Sequence, residues 1–272
     1  MLEIGIRAHD LGKMDAAALA KLSTSLGFDG IQLVFLKALT SAVDFSYLDE
    51  IKKAFSGLKI MMLGAYFNPV HPDQKKVVAG VSYFKEHLKI ANQLNADFVG
   101  SETGSLMGDT WGYVPENHEE ATLESVIDIF RDLTACAEKY DSFVAIEGAY
   151  KHVAYAPEIV KRILDRIASP NLKVTIDLYN FLHIGNYEQR MEIFNQCFIY
   201  LKDDIVIYHL KDFVVDSDAL KQVGLGKGLM DFPAIIRRIK RETPNAYLVF
   251  EGVTGEDIKT SFDYIHQLIR EE

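Results

Sequence analysis

Short apolar runs alternate with longer amphipathic segments along the whole of this 272-residue sequence, and the alternation repeats eight times. The runs are Glu3–Ala8, Gly30–Val34, Lys59–Tyr66, Phe98–Glu102, Phe143–Glu147, Lys173–Asp177, Ile205–His209 and Tyr247–Glu251. Each has the length and the β-branched or aromatic content of a strand buried on both faces. The intervening helical segments are Asp15–Leu26, Ser46–Phe55, Val77–Leu94, Thr122–Tyr140, Ala156–Ile167, Tyr187–Leu201, Phe232–Arg241 and Asp257–Ile269. In Thr122–Tyr140, Leu123, Val126, Ile127, Phe130, Leu133 and Ala137 fall on one face. Strict alternation of strand and helix implies a parallel sheet. Eight such units in about 270 residues predict a closed (β/α)8 TIM barrel, one domain over residues 1–272. An open doubly wound sheet is the alternative, but the first turn, Ala8-His9-Asp10-Leu11-Gly12, has no G-x-G-x-x-G.

Hydrophobic residues make up 49% of the chain, enough for one large core. No stretch approaches the roughly 20 apolar residues of a membrane span. The N-terminal residues read as a first strand rather than a signal peptide. Cys136 and Cys197 fall in helical segments, without the spacing of a disulfide framework or a zinc site. These features predict a cytoplasmic protein with no membrane partner. A formal net charge of −10 argues against nucleic acid as a partner, because phosphate binding needs clustered Lys and Arg.

In a barrel of this kind, residues at strand C-termini converge on one mouth. The fifth to eighth runs end on Glu147, Asp177, His209 and Glu251 in turn. One carboxylate after a strand is ordinarily a turn residue or a helix cap. Three carboxylates and an imidazole in register repel unless protons or a cation neutralise them. One divalent metal supplies that charge. Oxygen-rich ligation with a single imidazole suits Mn²⁺ first, then Mg²⁺ or Co²⁺, with Zn²⁺ as a further alternative.

These four residues, with His209-Leu210-Lys211-Asp212 and Gly224-Leu225-Gly226-Lys227-Gly228 ahead of Asp231-Phe232, give the chain its likeness to a known family. The whole sequence resembles the xylose isomerase-like barrels, which include sugar isomerases, sugar epimerases and inosose dehydratases. The resemblance implies a metal held between two glutamates that also move protons, here Glu147 and Glu251. It implies a small carbohydrate substrate. Relatives of this fold are often dimers or tetramers, so a homo-oligomer is compatible with the chain. Two departures narrow the family. Asn180 stands where the DNA-repair members and the ketose 3-epimerases carry His, and positions 210–220 lack the Arg of the latter. One metal is therefore expected rather than three.

Further residues at the same mouth are candidates for substrate contacts: His9, Asn68, Glu102, His152, His183 and Lys211. His9 and Asp10 follow the first strand, although Asp10 or Asp15 is equally a helix cap. Asp73 reads as an N-cap. Lys211 suits an anionic or carbonyl group, or else is a surface lysine paired with Asp212. Lys227 is followed by Gly228 where a phosphate-binding P-loop needs Ser or Thr, so that segment reads as a turn. The longest loop, Thr103–His118, carries the single tryptophan, Trp111, and is expected to be functional. The expected activity is a metal-dependent isomerase or epimerase acting next to a carbonyl. A keto-polyol dehydratase with His183 or Lys211 as acid, and a non-enzymatic sugar-binding barrel, are the alternatives.

Overall fold

The computed structural model describes residues 2–41 and 47–271. Eight parallel strands close into a barrel: β1 (Ile4–Arg7), β2 (Gly30–Leu33), β3 (Lys59–Gly64), β4 (Ala96–Glu102), β5 (Val144–Glu147), β6 (Leu172–Asp177), β7 (Ile205–Leu210) and β10 (Tyr247–Phe250). Each strand pairs with its chain neighbour, and β10 pairs with both β7 and β1. The helices are α1 (Ala16–Ser25), α2 (Phe35–Ala38), α3 (Leu48–Ala54), α4 (Gln74–Leu94), α5 (Glu120–Lys139), α6 (Pro157–Ile167), α7 (Arg190–Leu201), α8 (Phe232–Glu242) and α9 (Asp257–Arg270). The expected (β/α)8 barrel is thus the observed fold. The expected helix Ser46–Phe55 is seen from Leu48, and Ser46 lies outside the described residues. Among the described residues, no helix is long and apolar enough to cross a membrane.

The strands read as continuous apolar runs because both faces are buried. Val144, Ile146, Val174, Ile176, Leu248 and Phe250 belong to the large core that includes the helices. Met61, Met62, Ala145, Ile207 and Val249 form a separate cluster. Alternate residues of a strand share a face. Ala145, Ile207 and Val249 are therefore on the same face as Glu147, His209 and Glu251, one step nearer the barrel floor. Glycines make room for the methionines of this plug: a Cβ at Gly5 or Gly100 would overlap the sulfur of Met61 or Met62. The apolar plug seals the barrel beneath the polar mouth.

Caps fix several helix starts. Asp15 accepts from Ala18 N, Asp73 from Lys75 N and Asp231 from Ala234 N. Asp15 is therefore the cap of α1, and Asp10 is free for another task. Two elements lie outside the sequence expectation. One is the short α2. The other is an antiparallel hairpin after β7, β8 (Asp212–Asp216) and β9 (Ala219–Val223). Much of the hairpin is exposed and lacks the apolar run that marks the barrel strands.

The hairpin leads into the glycine-rich turn, and Asp212 ties the two together. It is fully buried and accepts from Phe213 N, Gly226 N, Gly228 N and Met230 N at 2.9–3.0 Å. Lys227 points to Asp257, so the segment is a clamped turn, as its sequence implies. The alternative pairing of Lys211 with Asp212 is not formed. Asp212→Ala strands buried amides at the mouth and is expected to cost on the order of 3 kcal/mol. The check is a lower urea midpoint, with Asp231→Ala as an exposed-cap control losing about 1 kcal/mol.

Candidate metal centre

Parallel register brings the four ligands to one level. Asp177 pairs with His209, and His209 with Val249, two residues before Glu251. Glu147, Asp177, His209 and Glu251 each offer one atom within 4.8 Å of the others, and all four are buried. His209 Nδ1 lies 2.8 Å from Glu251 Oε2, 3.4 Å from Glu147 Oε2 and 3.8 Å from Asp177 Oδ2. Despite this crowding, Nδ1 is aligned for a hydrogen bond with none of them, and neither is Asp177 Oδ2. Buried polar atoms are nearly always paired. An unpaired imidazole nitrogen facing a carboxylate-lined space, with Lys211 beside Asp177 Oδ2, fits a cation shared by the four residues.

The far side of the imidazole fixes its orientation. His209 Nε2 is 2.7 Å from Gln32 Oε1, and Gln32 Nε2 donates to the Tyr66 hydroxyl at 2.7 Å. A carbonyl oxygen only accepts, so Nε2 carries a proton and Nδ1 is the ring atom turned to the carboxylates. This is the usual arrangement of a metal-ligating histidine. Gln32 is fully buried at the end of β2. It escaped the sequence reading because one glutamine in an apolar run has no periodic signature.

Three further groups hold the carboxylates. Asn180 donates its Nδ2 to Glu147 Oε1 at 2.7 Å and its backbone N–H to Asp177 Oδ1 at 3.1 Å. In the sequence, Asn180 argued only as a missing histidine; in the fold it cross-links two ligands. Lys211 Nζ is 2.6 Å from Asp177 Oδ2 and 2.8 Å from Glu251 Oε1, and donates to Asn180 Oδ1 at 3.2 Å. Arg7 Nη1 donates to Glu251 Oε1 at 2.6 Å, while its Nε and Nη2 grip Asp10. Asp10 also accepts from Gly252 N, so the β1 turn is tied to the residue after Glu251. Arg7 was absent from the expected site. Its visible signal was a lone cation at the C-terminal end of a strand.

Electrostatics follow from burial and from these neighbours. Burial raises the Asp177 carboxyl to about 6, with Lys211 opposing and Glu251 and Glu147 assisting. Burial alone would raise Glu251, but Lys211 and His209 outweigh it and hold that carboxyl well below its ordinary range. Burial also disfavours a charged His209, yet Glu147 and Glu251 raise its imidazole to about 10. Without a metal, a proton on His209 is the substitute cation.

The remaining expected residues divide into three groups. Asn68 is not available to substrate. Its amide donates to Ser105 O and Gly108 O and accepts from Val70 N and Ser105 N, which pins the long loop. His9 lies beside Arg7 with Nδ1 buried and unpartnered, and burial followed by Arg7 lowers its imidazole to about 4. Glu102, His152 and His183 line a cleft of ≈ 430 Å³ that also includes Asn180 and Tyr179. His152 Nδ1 is buried without a partner, 3.9 Å from Glu102 Oε1. Burial, then Glu147 and Glu251, raise the Glu102 carboxyl well above its ordinary range. His183 stacks on Tyr150 at 4.0 Å.

A family profile described as the xylose isomerase-like TIM barrel matches residues 20–268. No protein of curated function matches the sequence. Solved structures share the fold at low identity. The apo 3-keto-D-glucoside 4-epimerase YcjR from E. coli has a TM-score of 0.77 at 16% identity, covering 98% of this chain and 100% of its own. A xylose isomerase-like barrel protein from Mycobacterium smegmatis in complex with magnesium has a TM-score of 0.75 at 16% identity, with 98% and 96% covered. The probable 3-DHS dehydratase AsbF from Bacillus anthracis has a TM-score of 0.71 at 12% identity, with all of both chains covered.

Two outcomes test this centre. A metal ligated by Nδ1 displaces the proton that His209 holds up to about pH 10. At pH 7–8, Mn²⁺ binding is therefore expected to release about one proton, and affinity to rise about tenfold per pH unit. Below pH 6, where Asp177 also takes a proton, the dependence steepens. Calorimetry in buffers of different ionisation enthalpy reads the proton count directly. Gln32→Leu removes the acceptor that fixes the ring, and is expected to weaken Mn²⁺ binding about 10- to 100-fold with an unchanged circular dichroism spectrum.

Proposed function

The chain belongs to the xylose isomerase-like TIM barrel family, and from that premise we propose that it is a divalent-metal-dependent isomerase or epimerase of a sugar or sugar derivative. The observation that carries the reading is the pair Glu147 and Glu251. Both are buried, both face His209 Nδ1, and each is held in place by a different set of donors. Mn²⁺ is the preferred ion, with Mg²⁺, Co²⁺ or Zn²⁺ as substitutes. When bound, it supplies positive charge to substrate oxygens beside the reacting carbon.

The chain's own residues supply the rest. One glutamate takes the proton from a carbon next to a carbonyl, and the other returns one to the opposite face. Asn180 aims Glu147 through a neutral amide donor, whereas Arg7 and Lys211 aim Glu251 through two cations. The difference supports unequal duties: the carboxylate between two cations favours its anionic form. The apolar plug below the ligands excludes water from the floor. Asp177 and His209 act as anchors.

A keto-polyol dehydratase on the same centre is the second reading, and Glu102 is what favours it. Its carboxyl faces the cleft, and burial, then Glu147 and Glu251, raise it well above its ordinary range. Such a group can protonate a departing hydroxyl. This reading uses it as the acid in place of His183 or Lys211. Lys211 is locked between two carboxylates, and His183 stacks on Tyr150.

Incubation of the Mn²⁺-loaded protein in D₂O with ketoses, aldoses, their phosphates and inososes tests both. Solvent deuterium is expected to enter the carbon beside the carbonyl. Glu147→Gln and Glu251→Gln are each expected to lower that exchange by about 10²- to 10⁴-fold. Full exchange in Glu251→Gln would sink the two-glutamate reading. An ultraviolet-absorbing unsaturated product, lost in Glu102→Gln, would establish the dehydratase instead.

A further inference from the structure

Lys211 follows β7 directly, and its side chain is 8% exposed. Burying an ammonium is costly unless opposite charge repays it. Three oxygens surround its Nζ: Asp177 Oδ2 at 2.6 Å, Glu251 Oε1 at 2.8 Å and Asn180 Oδ1 at 3.2 Å. The Tyr179 ring covers a further side, with its centroid 5.8 Å away. Asp177 Oδ2 is buried and aligned for a hydrogen bond with no donor, although Nζ is 2.6 Å from it. That contact is one of charge rather than of direction. A compact ammonium acts there as a point charge, as a metal ion does.

The residues around Nζ also face the metal centre. Glu251 turns Oε2 to His209 Nδ1 at 2.8 Å and Oε1 to Lys211. Asp177 Oδ2 lies 3.8 Å from the same Nδ1 and 2.6 Å from Nζ. Asn180 donates its Nδ2 to Glu147 and its backbone N–H to Asp177 Oδ1, so its Oδ1 is left to face Nζ. Two positions therefore share Asp177 and Glu251, and each attracts positive charge. Shared carboxylates of this kind hold the paired ions of two-metal sites. Two carboxylates and an amide carbonyl are also hard oxygen donors of the type Mn²⁺ and Mg²⁺ take. Such ions hold oxygen at about 2.1 Å, so each donor would move inward by roughly 0.5–1.1 Å from its place around Nζ. Charge balance agrees. One divalent ion and Lys211 together neutralise the ionised Glu147, Asp177 and Glu251, while Arg7 is matched by Asp10. A second divalent ion beside Lys211 would leave a surplus of positive charge in a buried space.

We propose that Lys211 is a resident cation: its ammonium occupies a second cation position, formed by Asp177, Glu251 and Asn180, and so limits the centre to one exchangeable divalent ion. The inference rests on the metal centre of Glu147, Asp177, His209 and Glu251. It goes beyond that reading by assigning the metal count to a side chain that ligates no metal. In this role Lys211 is a positioning residue, acting through Asp177 and Glu251.

The test equilibrates the full-length protein with excess Mn²⁺ and then desalts it. Bound metal is counted by elemental analysis and read by electron paramagnetic resonance. Wild type is expected to hold one Mn²⁺ per chain, with the hyperfine-resolved spectrum of an isolated ion. Lys211→Ala empties the second position and leaves its three oxygens. It is expected to hold two Mn²⁺, with a spectrum altered by coupling through the shared carboxylates. Excess ethylammonium replaces the missing cation and should weaken the second Mn²⁺ about threefold or more, leaving the first unchanged. Lys227→Ala, at an exposed lysine paired with Asp257, controls for the loss of one positive charge and should still hold one ion. Lys211→Gln, which keeps a donor for Asp177, is read in the same way if the alanine variant does not fold. Two ions in wild type overturn the proposal. So does a single ion in a folded Lys211→Ala or Lys211→Gln protein, or a second ion without coupling. Wild type that binds no Mn²⁺ refutes the metal-centre reading itself. One ion in both wild type and variant refutes the resident cation alone and leaves that reading standing.

Discussion

Three carboxylates share one dehydrated space at the mouth of this barrel, and most of the polar architecture answers that fact. Two like charges about 4 Å apart repel by about 4 kcal/mol at an effective dielectric near 20. Glu147, Asp177 and Glu251 make three such pairs within 4.8 Å. A domain with a net stability on the order of 10 kcal/mol does not hold such a group uncompensated. Compensation comes from Lys211 between Asp177 and Glu251, from Arg7 on Glu251, and from the imidazole of His209. A divalent ion would complete it and relieve His209 of its extra proton.

The barrel suits this task because its strands deliver side chains to a common level without loops. Parallel register sets Glu102 beside Glu147, and Asp177 beside His209. Alternation along each strand then puts apolar Ala145, Ile207 and Val249 directly below. The ligands consequently stand on a packed floor. Their orienting partners arrive from other strands: Gln32 from β2, Arg7 from β1, and Asn180 from the turn after β6. Tying distant segments to the ligands couples folding of the whole ring to formation of the site.

Unequal surroundings give the two proton-moving candidates different characters. Glu147 meets an amide donor, and Glu251 meets a guanidinium and an ammonium. A third carboxyl, Glu102, looks into the cleft from the neighbouring strand, where burial and the other carboxylates favour its neutral form. One small mouth therefore presents carboxyl groups suited to anionic, basic and acidic duties. The long loop adds Tyr113 to the ring column of Tyr150 and His183, and Asn68 and Asn117 pin that loop through amide contacts.

Periodicity alone was enough to indicate eight strands, their parallel order, the closed barrel and the four metal-type ligands. Those features repeat: every βα unit gives an apolar run, and four consecutive runs end on a ligand. Asp15 and Asp73 were legible as caps for the same local reason. What remained hidden depends on contacts between residues far apart in the chain. Gln32 meets His209 across 177 positions, and Arg7 meets Glu251 across 244. Neither residue type has a local signature for its role. Asn68 and Lys211 looked alike as polar groups after strands, yet one is saturated by loop backbone and the other is buried among carboxylates. The β8–β9 hairpin left no strong pattern because much of it faces solvent. Local patterning determined where the chemistry-bearing side chains stand; only the closed tertiary structure decided which of them touch, because hydrogen bonds and charge pairing across the barrel mouth follow distance in space rather than in sequence.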